Sequence, residues 1–385
     1  MDFTLTLEQE MLKKSARKFL NTNFTSDYVR EMWENPRGYE SEMWIKMAEL
    51  GWMGLTIPEE YGGLGLAFRD LGFILHEMGR VVMPGPFFST VVLATELIKM
   101  AGSEAQKADL LERIASGNLI ATVALYEEDV DWGVQGIKLT ASKKGDHYIL
   151  QGTKLFVPDA HIADLIIVAA RTENLDAEGE GISLFLIDPQ TEGVRVEQLP
   201  TMDQGRKLCA VSFINKTVSS AELIGKAGQG WPAIENMLTR ANAALGLEML
   251  GGGEKVLEIA VEYAKVRVQF GQPIGSYQAI KHKCAEMLLQ VESSRSIAEY
   301  AAWTIDGNPQ EVSKAASMAK TYVGNMYRKA AAATLQILGG IGFSWEHDIH
   351  LYYKRALASE AMFGDTVFHL ELLASQWDKT VHDVI

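Results

Sequence analysis

Cysteine is nearly absent from this chain. Cys209 and Cys284 are the only two, far apart and without the spacing of a metal-binding pair. A disulfide framework and a zinc ribbon are thereby excluded, and the thiols read as buried groups of a reducing compartment. No uninterrupted apolar run reaches about 18 residues, the length a membrane helix needs. The opening residues MDFTLTLEQEMLKK carry Asp2, Glu8 and Glu10 and no apolar core, so they do not read as a signal peptide. Basic residues are outnumbered 36 to 50, and a net charge of −14 argues against non-specific nucleic-acid binding. No GxGxxG follows a strand-like run, which argues against a nicotinamide-type fold. The expectation is a cytoplasmic protein, or a mature matrix protein if the source is eukaryotic.

What is present is apolar patterning of two periods. With 385 residues and 47% apolar content, the chain has material for two or three packed layers or domains. Thr6-Leu7-Glu8-Gln9 is a capping box, and the helix after it puts Leu12, Ala16, Phe19 and Leu20 on one face. Further helices are predicted over 42–50 and about 68–82, 88–101 and 105–116. From Leu119 to about Leu223 the apolar residues alternate or form short runs, among them Leu165 to Ala169, Ile182 to Ile187 and Ala210 to Ile214. Lys144-Gly145-Asp146, Asp188-Pro189 and Asn215-Lys216 punctuate them, the pattern of an antiparallel barrel or sandwich. From about Trp231 the period returns to helical, predicting helices at roughly 231–268, 276–306, 309–337 and 347–378, a four-helix bundle. The reading is an α+β chain: an N-terminal all-α domain over 1–118, a middle β domain over 119–225 and a C-terminal helical bundle over 226–385.

One stretch gathers the chemistry, from Leu335 to Thr366. It ends a helix, breaks at Gly339, Gly340 and Gly342, and resumes helical spacing through Ile349, Tyr353 and Ala356. Glycines at a helix end let backbone N–H groups approach a ligand closely, although such a pair also simply ends a helix. Arg267, near the end of a long helix, offers a planar charged fork suited to a pyrophosphate, or else a cation for its own helix terminus. His347, His350 and Trp345 share a helix start with no ligand spacing around them, so no metal site is expected.

Four blocks run in order along the chain: Pro58-Glu59-Glu60-Tyr61-Gly62-Gly63, then Gly152-Thr153-Lys154-Leu155-Phe156-Val157. The third is Arg267-Val268-Gln269-Phe270-Gly271-Gln272-Pro273-Ile274 with Tyr277-Gln278, and the fourth Gln336-Ile337-Leu338-Gly339-Gly340-Ile341-Gly342. Together with the layout they resemble the acyl-CoA dehydrogenase family over essentially the full length. The resemblance implies an FAD cofactor, an acyl-CoA substrate, an electron-transfer flavoprotein as partner and a homotetramer, or at least a dimer. It implies that Arg267, Gln269, Phe270, Tyr277 and Gln278, with Gln336, Ile337, Gly339 and Gly340, grip the ADP half of FAD across a subunit contact. Phe156, Val157 and Pro158 would sit against the isoalloxazine ring, and Tyr126, Glu127, Trp132 and Thr366 would complete the cofactor site. Where the family has Thr or Ser, Pro158 cannot offer a hydroxyl. Where T-E-P-x-x-G-S-D is usual, this chain has Tyr126-Glu127-Glu128-Asp129-Val130-Asp131-Trp132-Gly133. Trp132 thus replaces a Ser that helps bind the acyl-CoA, or simply packs its loop.

The implied reaction is α,β-dehydrogenation: a carboxylate removes the α-proton, the β-hydrogen leaves as hydride to flavin N5, and fixed donors polarise the thioester carbonyl. In most of the family the base is the Glu of a (Y/F)-E-G-T motif; here the residues are Phe363-Gly364-Asp365-Thr366, with Gly364 in the base position. The other family position falls at Ala241, beside Asn242. Three readings remain. Asp365 serves as base, or caps the final helix. Glu248 serves, seven residues beyond Ala241, or forms a structural pair with Lys255 or another bundle residue. Or the chain has no base and is a non-catalytic FAD- and acyl-CoA-binding subunit of a mixed oligomer with a paralogue. Ala241, Asn242, Leu245, Phe363 and Gly364, with Trp132, are the expected substrate-side residues. The small side chains of 241–253 suggest a bulky, branched or cyclic acyl group, or else close helix packing. An oxidase on the same scaffold is a further alternative.

Overall fold

The computed structural model describes residues 4–129, 131–172 and 181–382, with side chains as far as Gln376. Val130 of the altered loop and Asp2 lie outside the described residues. Helices in chain order are α1 (Leu7–Asn23), α2 (Ser26–Glu34), α3 (Ser41–Glu49), α4 (Phe68–Arg80), α5 (Thr95–Ala101), α6 (Glu104–Ala115) and α7 (Trp231–Val266). They continue with α8 (Gln278–Gly307), α9 (Val312–Leu338), α10 (Ile349–Ala361) and α11 (Thr366–His382). The strands are β1 (Ala121–Ala124), β2 (Thr140–Lys144), β3 (His147–Pro158), β4 (Leu165–Arg171), β5 (Ile182–Ile187), β6 (Val194–Leu199), β7 (Leu208–Ser219) and β8 (Leu223–Ile224). Two short ones follow, β9 (Val268–Gln269) and β10 (Gln272–Pro273). A helical first third, a β-sheet middle and a helical last part match the expected fold class. Among the described residues no helix is long and apolar enough to cross a membrane. The chain divides into two compact units: Met1–Arg30, Phe68–Met83 and Thr239–Ile385 form one, Glu31–Ala67 and Pro84–Leu238 the other.

The first unit is a helical bundle. Its α1 starts at the predicted capping box, with the Thr6 hydroxyl accepting from Gln9 N and the Gln9 side chain accepting from Thr6 N. α4 crosses α7 with no side chain between the backbones. A Cβ on Gly79 would stand 1.9 Å from the Glu248 carbonyl oxygen, and one on Gly251 would stand 1.9 Å from that of His76. Gly252 and Gly253 admit Tyr327 and Met326 of α9 in the same way. The glycines of the 241–253 run therefore serve close packing. The expected single helix over 347–378 is in fact two, α10 and α11. The chain breaks because Phe363 (φ 56°) and Gly364 (φ 104°) both take left-handed conformations that a helix cannot contain.

In the second unit one sheet runs in the order β6-β7-β3-β2-β4-β5-β8, with β1 pairing β4. Most pairs are antiparallel, but β1 lies parallel to β4. The sheet stays open rather than closing into a barrel. One edge, β6, carries Arg195 and Glu197 outward, and the other, β8, is two residues long; both features discourage further pairing. Predicted helix 88–101 appears as a wide π-helical turn over Phe88–Ala94 leading into α5. The sequence reading did not include α2.

Candidate functional site

In the second unit the altered loop is anchored by a buried ion pair. Glu127 Oε1 accepts from Lys138 N and Leu139 N, each at 2.9 Å, and from Lys154 Nζ at 2.7 Å. The Lys154 amine, wholly buried, also donates to the Leu125 carbonyl at 2.8 Å. Burial pushes Lys154 down to about 8, with Glu127 opposing that shift. Glu127 thus holds the loop to the strands, while its neighbour Tyr126 turns its ring edge-on to Trp132, centroids 4.8 Å apart. The pair lines a small cleft together with Leu125, Ile137, Trp231 and Leu238. The Tyr126 hydroxyl is enclosed and has no hydrogen-bond partner among the described residues, and burial pushes its pKa up.

The strand β3 ends in a second prepared feature. Its pairing with β7 slips between Lys154 and Val157, and at this bulge Phe156 takes φ 56° and turns its ring out, 42% exposed. Val157 points inward and is buried. The Thr122 hydroxyl donates to the Pro158 carbonyl at 2.6 Å, and the Ser89 hydroxyl donates to Asp159 at 2.6 Å. Pro158 is therefore held by Thr122 and the following Asp159 by Ser89, none of which sequence reasoning singled out.

In the first unit Arg267 follows α7, exposed, and opens a hairpin of β9 and β10. Phe270 (φ 51°) and Gly271 (φ 82°) form its two-residue turn, the backbone of a type I′ connection. Phe270 is 94% exposed, edge-on to Tyr277, whose hydroxyl donates to the Gln269 carbonyl at 2.9 Å. Gln278, also exposed, begins α8. At the end of α9, Gln336 is exposed and Ile337 buried. A Cβ on Gly339 or Gly340 would meet nothing within 4 Å, so the backbone there is bare. His347 lies at the start of α10, its Nδ1 accepting from Ile349 N at 3.1 Å.

The turn between α10 and α11 carries Gly364, the residue that the resemblance aligns with the family's base. Asn242 Nδ2 lies 3.4 Å from the Phe363 carbonyl, which joins two of the expected substrate-side residues. Ala241 and Leu245 are buried on the same helix. Asp365 is exposed, and its Oδ1 accepts from Phe368 N at 2.9 Å, capping α11. Thr366 donates to Glu360 Oε1 at 2.9 Å. Glu248 is buried and sits 3.1 Å from Arg355 Nη1, while Lys255 pairs with Glu258 at 3.8 Å. Lys320 and His369, both buried, also reach this turn. The signal for Lys320 was available: it stands at helical spacing from Ala316, Val323 and Tyr327, on the stripe of α9 that faces the core.

Family models for the acyl-CoA dehydrogenase N-terminal, middle and C-terminal domains match residues 6–118, 122–215 and 228–377. An acyl-CoA dehydrogenase of Bacillus subtilis is 31% identical over 364 residues, covering 94% of this chain and 95% of that one. Butyryl-CoA dehydrogenase from Megasphaera elsdenii, a solved structure, superimposes with a TM-score of 0.90 at 26% identity, over 98% of this chain and 100% of the other. The ChsE4-ChsE5 complex from Mycobacterium tuberculosis gives 0.88 at 25% identity, over 98% and 99%. The chain belongs to the acyl-CoA dehydrogenase family, oxidoreductases that act on CH–CH groups with FAD. The residues present fit that cofactor. In the first unit bare glycines and a solvent-facing guanidinium supply open backbone and an anion fork; in the second an enclosed phenol without a partner supplies an unused donor.

Proposed function

We propose that this chain takes part in FAD-dependent α,β-dehydrogenation of an acyl-CoA thioester as one subunit of a mixed oligomer. In this reading it holds FAD and the thioester, and a paralogous subunit supplies the carboxylate that removes the α-proton. FAD supplies the acceptor for the β-hydrogen, which leaves as hydride, and the electrons then pass to an electron-transfer flavoprotein. Arg267, Gln278, Gln336, Gly339 and Gly340 hold the ADP half, and Phe156, Val157, Pro158 and Tyr126 face the flavin. The observation that carries the proposal is the condition of the acids at the base position. Gly364 has no side chain, Asp365 spends its carboxylate on the α11 cap, and Glu248 is matched to a buried arginine. A base must come within hydrogen-bond reach of the α-carbon. That the similar ChsE4-ChsE5 structure joins two differently named components favours the mixed assembly.

The test is anaerobic addition of an acyl-CoA panel to the purified chain, alone and mixed with a paralogue from the same source. The expected result is a yellow protein that bleaches only in the mixture. Bleaching of the chain alone, abolished by Asp365→Asn, would make Asp365 the base; abolition by Glu248→Gln would make it Glu248. Hydrogen peroxide formed in air without an added acceptor would indicate an oxidase. A bulky, branched or cyclic acyl group remains the expectation from the small residues of 241–253, and preference for butyryl- or octanoyl-CoA would end it.

A further inference from the structure

The turn at the base position is held from inside the bundle. Lys320 of α9, 1% exposed, donates to the carbonyls of Glu360 at 2.6 Å and Gly364 at 2.7 Å. His369 of α11 places Nε2 3.1 Å from the Phe363 carbonyl, so that nitrogen carries the proton and Nδ1 accepts from the Ser317 hydroxyl at 3.2 Å. Asn242 of α7 reaches the same Phe363 carbonyl. A helix C-terminus leaves carbonyls without intrahelical donors, and buried ones must find a partner. Here Lys320 is that partner on both sides of the turn. Lysine is seldom fully buried, and burial drives this amine down to about 7. A neutral amine still has two N–H groups for two carbonyls, so the clamp survives loss of its charge.

The conformation so held excludes side chains. At Gly364, with φ 104°, a Cβ would stand 2.5 Å from the Phe368 ring and 2.9 Å from His369 Nε2. The place of the family's base is therefore closed by the path of the backbone, and restoring a carboxylate by substitution alone would break the contacts around it.

We propose that Lys320 is a positioning residue of the acyl-CoA site, locking residues 360–364 into a turn that only glycine can complete. The lock keeps this subunit without a base and fixes the wall that Phe363 and Gly364 give to the acyl site. This deepens the function proposed above and rests on its assignment of acyl-CoA as ligand.

The test uses the full chain loaded with FAD. Lys320→Met removes both donors at similar length. Amides of residues 363–369 should then exchange with deuterium about tenfold faster, the scale of one lost hydrogen bond. Calorimetric affinity for an acyl-CoA with sulfur in place of its β-carbon should weaken by a similar factor, with FAD content unchanged. Unaltered exchange in that segment, or faster exchange with unaltered affinity, would overturn the proposal. If Lys320→Met does not fold, Gly364→Ala and Gly364→Glu decide: both should loosen the same amides, and Gly364→Glu should gain no flavin reduction. Reduction by Gly364→Glu alone would refute the lock. Unsubstituted protein that bleaches without a paralogue would instead sink the subunit reading, leaving the exchange result to be judged separately.

Discussion

Glu248 of α7 and Arg355 of α10 meet at 3.1 Å inside the bundle, and the same guanidinium reaches the Met83 carbonyl at 3.2 Å. Their side chains are 8% and 3% exposed, so the two charges offset one another away from water. Glu248→Gln leaves a buried cation facing a neutral amide. We expect it to destabilise the protein by about 3 kcal/mol, the low end for a broken buried pair. Calorimetric unfolding of Glu248→Gln, Arg355→Met and the double variant measures this, and the double variant should recover part of the loss. A Glu248→Gln protein as stable as the parent would show that the pair contributes little.

Stability should depend on pH through the cluster at α4. His76 Nδ1 lies 3.2 Å from Glu77, and its Nε2 lies 3.0 Å from Glu254 in a poorly aligned contact. Burial alone would raise both carboxylates, but His76 and Arg17 hold Glu77 at about 2, and His76, Arg295 and Arg80 hold Glu254 at about 2. Their contribution is therefore complete above the unfolded value of 4.5 and disappears as pH falls toward 2. Burial would lower His76, yet Glu254 and Glu77 raise it. Its contribution is complete below 6.5 and is lost as pH rises through the folded value. A melting-temperature profile should fall at both ends, and His76→Gln should flatten the alkaline side.

Arg267 is exposed, so its removal should act on the cofactor and not on the fold. Arg267→Gln is expected to weaken FAD binding about tenfold to a hundredfold, the scale of a charge-assisted contact, and to change the stability of the FAD-free protein by less than about 0.5 kcal/mol. Equilibrium dialysis and thermal unfolding separate the two. Equal loss in both would mean a structural arginine.

Gly340 makes the converse case. Open space surrounds its missing Cβ, so Gly340→Leu should leave the FAD-free chain folded. Its side chain would fill the room a phosphate needs, and FAD should no longer co-purify. Retained yellow colour in Gly340→Leu would remove the α9 terminus from the cofactor site.

Local chemistry was the most legible part of the sequence. Thr6 and Gln9 cap as their spacing requires. The alternation through Ile182 to Ile187 becomes β5, and the small residues of 251–253 pack helix against helix. The break at Phe363 was legible only in part: Gly364 and a capping Asp365 mark a helix start, yet apolar spacing continues through it, and the donors that stabilise it come from Lys320 and Asn242, distant in sequence. An open sheet could not be told from a closed one either. Alternation reports which face is buried, not whether the last strand finds the first.

Residues 68–83 pack with residues 1–30, made before them, and with residues from Thr239 onward. During synthesis, at about 5–20 residues per second, the intervening segment takes roughly 8–30 s to appear. Throughout that interval Phe68, Leu71, Ile74 and Met78 of α4, all buried in the finished protein, have α1 available but lack the later helices they will join. The nascent chain therefore carries a greasy, half-matched helix for a large part of its synthesis, and its yield in a cell should depend on how well chaperones cover that helix until α7 arrives.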